Sequence, residues 1–351
     1  MKLPLENPGY PGEGTSMLVD LNNLRQIAGA GPLLILTHNN PDPDALASGK
    51  ALATLLKEAW GIPSHLIYSG LVARSENRAM LDLLTPEWKH KHTLSNLGQY
   101  SAIALVDTQP GAGNNNLPEN LSPDIVIDHH HPMRAGLVLA PYTHVHPDVG
   151  ATVTLLCLLL DAAGITPDPV LATAMFYGLK TDTRGLSRGD SPLDKTVYLK
   201  LLAHMDRELL IKVEQAGQSR AYFHALDQCL QATQIYGAAV MAYLGVMQRP
   251  DLGAELADLL IRLENAKAVL CIGHHDQTFH LSLRTKSLAQ DAGVLVQKII
   301  VPPGKAGGHG TMAGGQIPAS LNQAEMIYSQ TKMRFLSLMG ESEEAGEALL
   351  R

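Results

Sequence analysis

The sequence predicts an α/β protein of two domains: an N-terminal parallel sheet with helices on both faces, a helical connector, and a smaller C-terminal α/β domain. Three observations carry this expectation. Short, continuous apolar runs alternate with longer Ala- and Leu-rich stretches through the first half of the chain, the pattern of strands buried on both faces and linked by helices. Beyond residue 230 a second set of strand and helix patterns begins. At 351 residues, the chain also exceeds the size at which a single hydrophobic core keeps growing.

Residues 1–16, rich in Pro and Gly, predict a loose arm, followed by a short helix over 18–29. Leu33-Leu34-Ile35-Leu36 is wholly apolar and predicts the first strand. Ala45 to Ala59 predicts a helix, His65 to Tyr68 a second strand, and residues 101–106 and 124–127 two more. Helices are expected over 150–163, 168–181 and 191–203, and Met205 to Leu230 has the polar interruptions of a connecting helix. Then come a strand over Ala238 to Val246, a helix over Asp251 to Leu263, and a hairpin joining Ala268–Ile272 to Phe279–Leu283. A helix over 290–299, a Gly-rich loop over 304–315 and a closing helix after Asn322 complete the pattern. The expected divisions are a first domain over 1–204, a helical linker over 205–228 and a second domain over 229–351.

Composition narrows the function classes. Hydrophobic residues make up 45% and charged residues 17% of the chain, enough apolar material for packed cores and too little charge for extended disorder. A formal charge of -7 argues against tracking long duplex nucleic acid through many phosphate contacts. An aromatic content of 5% disfavours a long single-strand stacking platform. Cys157, Cys229 and Cys271 are few, odd in number and set in apolar surroundings, which predicts buried thiols and a cytoplasmic setting. No signal-peptide pattern or membrane-length apolar run is evident.

The chemistry concentrates in four places. His38-Asn39-Asn40-Pro41-Asp42-Pro43-Asp44 follows the first strand, Asp107 follows Val106, Asp128-His129-His130 follows Ile127, and Asp182 lies in Gly178-Leu179-Lys180-Thr181-Asp182-Thr183. In open parallel sheets the ligand site lies beyond the carboxyl ends of the strands, so these residues are expected to converge on one rim. An isolated Asp-Pro-Asp is most simply a turn and a helix cap; the company of histidines and further aspartates reverses that reading. Such carboxylates would repel and dehydrate one another without a cation among them. His38, Asp42, Asp44, Asp107, His129 and Asp182 are therefore the candidate metal ligands, with Asp107 the candidate bridge between two ions. Hard oxygen donors mixed with imidazole, without cysteine, suit Mn²⁺, with Mg²⁺, Co²⁺ and Fe²⁺ as further candidates. A phosphoester entering this site needs additional donors, which His130 and Arg284 can supply. Gly307-Gly308-His309-Gly310 is a second candidate, because successive glycines let backbone amides approach an anion; alone, such a turn is ordinary loop geometry.

The ordered set His38-x-x-x-Asp42-x-Asp44, Asp107, Asp128-His129-His130 and Thr181-Asp182-Thr183 resembles the four motifs of the DHH phosphoesterase superfamily. Ser282-Leu283-Arg284 and Gly307-Gly308-His309 resemble the substrate-binding features of the first type of DHH-associated C-terminal domain. The resemblance spans about residues 30–320 and is similar to nanoRNases, or oligoribonucleases, and to phosphatases of 3'-phosphoadenosine 5'-phosphate (pAp). It implies that the six named residues bind two Mn²⁺ ions, that Asn40 and His130 assist around water and phosphate, and that Arg284 with the Gly307, Gly308, His309 and Gly310 turn holds substrate.

The expected function is thus a metal-dependent hydrolase releasing 5'-mononucleotides from short oligonucleotides, with a short cleft between domains limiting substrate length. The alternatives are a phosphatase acting on pAp, a cyclic-dinucleotide phosphodiesterase, a pyrophosphatase, and, from another class, a nucleotide-sensing module. The expected partners are a short oligonucleotide or small nucleotide, not long duplex nucleic acid or a membrane, and a second copy of the chain is admitted. His131 is expected to be solvated or to support its neighbours. His274-His275-Asp276, His144 with His146, and Lys89-His90-Lys91-His92 are expected to be turn or surface residues.

Overall fold

The computed structural model describes residues 19–188, 191–287 and 290–350, apart from the side chains of His309 and Ala345; the arm expected over 1–16 lies outside the described residues. The chain divides into two compact units, Met1–Ala216 and Gly217–Arg351. The first unit holds strands β1 (Leu33–Leu36), β2 (Ser64–Tyr68), β3 (Lys89–His90), β4 (Ala102–Val106), β5 (Ile125–Asp128) and β6 (Tyr142–Val145). Its helices are α1 (Leu21–Ala28), α2 (Pro43–Trp60), α3 (Ser75–Leu83), α4 (Thr152–Ala162), α5 (Pro169–Asp182), α6 (Pro192–His204) and α7 (Arg207–Glu214). The strands form one parallel sheet in the order β3-β2-β1-β4-β5-β6. The direction of winding reverses between β1 and β4, which opens a crevice beyond their carboxyl ends.

Alternation along the strands explains the layers. Leu33, Ile35, Ala104, Val106, Ile125 and Ile127 join the main core with residues of α2, α4 and α5. The intervening Leu34, Leu36, Leu105 and Val126 form a smaller cluster on the other face with Leu97 and Leu137. The α-helices thus pack on one face, and the short 3-10 turns Leu97–Gln99 and Ala135–Leu139 contribute cover to the other.

The second unit holds α8 (Arg220–Ala232), β7 (Thr233–Tyr236), β8 (Ala239–Val246), α9 (Leu252–Leu260), β9 (Ala268–His275), β10 (Thr278–Thr285), α10 (Ala292–Ile299), β11 (Lys305–His309), β12 (Met312–Pro318), α11 (Ala324–Met339) and β13 (Gly346–Ala348). Its mixed sheet runs β11-β12-β10-β9-β8-β7-β13. Phe279, Leu281 and Leu283 of β10 face the cluster containing Val296 and Ile299 of α10 and Phe335 of α11. The opposite face of β8 and β9 packs on α8 and α9.

Several expectations change. The helical linker over 205–228 is not a separate element: α7 packs on α3 and α5 in the first unit, and α8 packs on β8 in the second. The Gly-rich loop over 304–315 is largely the hairpin β11–β12, because antiparallel pairing with β10 offsets the poor strand propensity of glycine. His144 is not a surface residue; it lies on β6, 4% exposed, its ring 4.6 Å from that of His146. Lys89-His90 is a short edge strand rather than only a solvated patch, and His274 and His275 end β9 ahead of the turn. Among the described residues no helix is long and apolar enough to cross a membrane.

Candidate metal centre

The carboxyl ends of β1, β4 and β5 supply His38, Asp107 and His129. Asp107 follows β4 with a φ of 60°, a left-handed turn that ends the strand immediately before the site. The N-terminus of α2 supplies Asp42 and Asp44. Asp42 is the N-cap, its Oδ1 accepting from the Ala45 amide at 3.0 Å, with Pro43 and Asp44 in the first turn. Asp182 is the last residue of α5, one position past the end of the helix expected over 168–181. Gly178, one turn earlier, permits its approach, since a Cβ there would lie 3.0 Å from the Pro43 carbonyl and 3.1 Å from the Asp44 Cα.

All six candidate ligands fall in one cluster. His38 Nε2 lies 3.8 Å from Asp42 Oδ1 and 3.5 Å from Asp107 Oδ2. His129 Nε2 lies 3.7 Å from Asp107 Oδ1, 4.0 Å from Asp44 Oδ2 and 3.2 Å from Asp182 Oδ2. Three overlapping ligand groups result: His38 with Asp42 and Asp107, Asp107 with His129 and His130, and Asp44 with His129 and Asp182. The two oxygens of Asp107 face different histidines, the arrangement a bridging carboxylate requires.

The surroundings orient these groups. Hydrogen bonds from Nδ1 to backbone carbonyls, His38 to Asn39 at 3.0 Å and His129 to Val149 at 3.2 Å, direct both Nε2 lone pairs toward the carboxylates. Asp44 accepts the Thr152 amide at 2.7 Å and the Val153 amide at 2.9 Å, so the N-terminus of α4 stabilises its charge. The Thr152 hydroxyl donates to Asp107 Oδ1 at 2.7 Å. Behind it, Asp194 accepts from the Gly150 amide at 2.8 Å and the Thr154 hydroxyl at 2.5 Å, holding the entry to α4.

The donor set fits a divalent cation. His129 Nε2 is buried without a hydrogen-bond partner, despite lying among three carboxylates. With Nδ1 donating to Val149, that lone pair meets oxygen lone pairs, which is unfavourable unless a positive charge intervenes. Asp182 adds to the strain, because a carboxylate at a helix C-terminus opposes the helix dipole. Without a cation the cluster holds protons instead. Burial alone favours a neutral His129, but Asp182, Asp107 and Asp44 outweigh it and lift its pKa well above 6.5. Burial, then Asp107 and Asp182, push the Asp44 carboxyl well above the usual carboxylate range.

His130 stands beside this cluster, its Nδ1 2.8 Å from Asp128 Oδ1. Burial pushes its pKa down, but Asp107 and the Asp128 hydrogen bond raise it overall. Gln109, 2% exposed, fixes this pair: its Nε2 donates to Asp128 Oδ2 at 2.7 Å and to the His130 carbonyl at 2.9 Å, while its Oε1 accepts from the Arg134 amide at 2.8 Å. Gln109, Thr152 and Asp194 escape the sequence reading. Gln109 lies only two residues beyond Asp107, but a polar residue after a strand end carries no signal of its partner.

Asn40 is the residue expected near water and phosphate. It is exposed, with a φ of 58°, and its Oδ1 accepts the Leu71 amide at 2.7 Å. It anchors the loop around Gly70, where the close approach commits its side-chain oxygen. His131 is exposed, as expected. In the second unit, Arg284 is not an open clamp but 7% exposed, its Nε donating to Asp258 Oδ1 at 2.5 Å and its Nη1 to the Leu283 carbonyl at 3.1 Å. The Gly307–Gly310 turn packs against the start of α10: the Gly310 amide donates to Asp291 Oδ2 at 2.9 Å, and the Ala292 amide to the Gly310 carbonyl at 2.7 Å. The side chain of His309 lies outside what the structure describes.

Comparison with known proteins follows the same division. Residues 32–179 match the DHH family, N-terminal domain, and residues 240–333 match the DHHA1 domain. An uncharacterized protein of Methanocaldococcus jannaschii is 33% identical over 323 residues, 89% of this chain, and the chain spans 65% of that relative's length. A probable manganese-dependent inorganic pyrophosphatase of Streptococcus agalactiae is 23% identical over 259 residues, 70% of this chain and 80% of that protein. The crystal structure of an exopolyphosphatase-related protein from Bacteroides fragilis superimposes with a TM-score of 0.72 over 90% of this chain and 95% of that one, at 16% identity, a likeness of fold. The chain is a member of the DHH phosphoesterase superfamily, built as a DHH domain followed by a DHHA1 domain.

Proposed function

We propose that the protein is a divalent-metal-dependent phosphodiesterase that hydrolyses short oligonucleotides, such as linear dinucleotides, to 5'-mononucleotides. The observation that carries the reading is the chain of overlapping ligand groups joined through Asp107 and His129, with His129 Nε2 buried among carboxylates and without a hydrogen-bond partner. His38, Asp42, Asp44, Asp107, His129 and Asp182 would hold two ions, Mn²⁺ by preference, which supply Lewis acidity to a phosphoryl oxygen and lower the pKa of water toward neutrality. The chain contributes the rest. Thr152 and the first amides of α4 hold Asp107 and Asp44 in place. His130, with Nδ1 tied to Asp128, has Nε2 left to give a proton to the leaving oxygen as the P–O bond breaks. Arg284, its guanidinium oriented by Asp258, and the Gly307–His309 segment hold the substrate.

The family relatives include a probable manganese-dependent inorganic pyrophosphatase, which favours a second reading as a hydrolase of a small phosphate. A single panel separates the two: pApA, pGpG, pAp, a cyclic dinucleotide and pyrophosphate, each offered with Mn²⁺. Mononucleotide release from the linear dinucleotides at the highest kcat/KM supports the proposal. Preferred turnover of pyrophosphate or pAp replaces it with the second reading, and no turnover of any member in a metal-loaded chain favours a nucleotide sensor.

A further inference from the structure

Strand β6 closes one edge of the first sheet. Tyr142, His144 and His146 alternate along it on one face, and the His146 amide donates to the Asp128 carbonyl at 3.0 Å, so the extended ladder runs one residue past the strand. Tyr142 and, after the next turn, Val149 join the main core. His144, between them along the chain, is 4% exposed, and its Nε2 is buried without a hydrogen-bond partner. The case differs from that of His129, because no carboxylate acts on this ring; burial and His146 alone shift it. A buried ring nitrogen that nothing in the protein satisfies requires another explanation.

The ring of His146 lies 4.6 Å from that of His144, at 72° to it. Two imidazoles that share one zinc ion, each nitrogen about 2.1 Å from the metal and about 1 Å from its own ring centre, place their centroids about 4.5–5 Å apart. The observed separation falls in that range. Edge-to-face packing alone gives a similar distance, but it leaves the buried Nε2 unanswered. His146 is half-buried, so the pair opens to solvent on its side. Pro147 and Asp148 form the centre of a turn closed by the Val149 amide on the His146 carbonyl at 3.5 Å, and the exposed Asp148 acts on His146 electrostatically. Burial, then His146, lower the His144 pKa to about 4, and burial lowers that of His146 with Asp148 opposing it. Both rings are then neutral at pH 7, the form that ligates a metal.

We propose that His144 and His146 form a metal site separate from the carboxylate-rich centre, one that takes a single Zn²⁺ ion, with Asp148 and water completing its coordination. Two imidazoles with one carboxylate select a different ion from the oxygen-rich centre. Affinity at such nitrogen sites is lowest for Mn²⁺ among the first-row divalent ions and far higher for Zn²⁺, so manganese leaves this site unfilled. The site stands behind the centre. The Val149 carbonyl accepts from His129 Nδ1 at 3.2 Å, and Asp128, whose carbonyl holds the His146 amide, carries the hydrogen bond to His130. An ion on His144 and His146 thus braces the turn that orients a ligand of the centre, without touching substrate, whichever phosphate ester is cleaved.

Anomalous diffraction at the zinc edge from crystals of the full chain soaked in Zn²⁺ gives the direct test. A peak about 2.0–2.2 Å from one ring nitrogen of each histidine is expected; no peak between the two rings overturns the proposal. Equilibrium dialysis of Zn²⁺ against the full chain counts the same ion in solution. His146→Ala, a half-buried change at the sheet edge, should bind one zinc ion fewer than the wild type, while its metal-free Tm stays within about 2 °C. His144→Leu, which keeps the position apolar, should lose the same ion. An unchanged zinc count in either folded variant overturns the proposal. Asp107→Asn separates this site from the carboxylate centre: adding His146→Ala to that background should still remove one ion, and no further loss would assign the ion to the centre and overturn the proposal.

Discussion

The two units treat polar groups in opposite ways. In the first, four carboxylates and two imidazoles gather at the sheet crevice, and His129 Nε2 is buried without a partner. In the second, the prominent charge is already answered: Arg284 is bonded to Asp258 at 2.5 Å, and the glycine turn is tied to Asp291. An arrangement left electrostatically open needs a ligand to complete it, whereas one satisfied internally folds without help and offers a preformed surface. The first unit should therefore depend on cations for both stability and chemistry, and the second for neither.

The largest effect should come from breaking the shared carboxylate. Asp107→Asn removes the carboxylate whose two oxygens face His38 and His129 and should reduce turnover of pApA by at least about 10³-fold, checked by steady-state kinetics at saturating Mn²⁺. Chelating the wild type should cost about 3 kcal/mol, the effect of removing a ligand present at about a hundredfold over its Kd. Calorimetry should show the loss in the transition of the first unit, with the second unmoved; an equal shift of both would erase the contrast.

His130→Ala should lower kcat by about 10³-fold, within the range expected for general acid–base catalysis, while retaining the metal content of the wild type. Gln109→Ala, which frees Asp128 and His130 without removing either, should reproduce part of that loss, about tenfold to a hundredfold, with metal again retained.

His144 supplies a pH prediction independent of the cluster. Burial, and secondarily His146, lower its pKa to about 4, whereas an unfolded histidine titrates near 6.5. The unfolded chain thus takes up a proton that the folded one refuses. The associated stability is complete above about pH 6.5 and is lost as pH falls toward 4, a contribution of about 3 kcal/mol. Denaturant unfolding of His144→Leu across this range should show a shallower decline than the wild type. Identical slopes would assign the acid sensitivity elsewhere.

The smallest effect tests the second unit. Arg284→Ala should raise KM for pApA about tenfold and leave metal content intact. Loss of metal in this variant would contradict the division of roles between units.

Much of the first unit was legible because its chemistry sits where apolar runs stop. Leu33–Leu36, Ile103–Val106 and Ile125–Ile127 announce strands, and the polar residues that follow them fall on one rim by topology alone. The supporting residues were not legible: Thr152 meets Asp107 across 45 positions and Asp194 meets Gly150 across 44, and neither separation leaves a local pattern. Strand β6 was hidden because Tyr142-Thr143-His144-Val145 mixes polar and apolar residues, as an edge strand can. In the second unit the glycines of β11 and β12 masked a hairpin, since local propensity carries no information about pairing with β10. Arg284 was seen, but its partner Asp258 lies on a different element, so its burial was not. Motif spacing thus reveals which groups meet a ligand more readily than which groups hold them still.

The central claim is that six side chains of the first unit cage two divalent ions. Equilibrium dialysis of Mn²⁺ against the full chain, with metal counted by atomic emission, tests it directly. The account predicts two ions per wild-type chain and loss of both sites' affinity in Asp107→Asn. A wild-type chain that takes up no manganese, or an Asp107→Asn chain that keeps both ions at wild-type affinity, would contradict it.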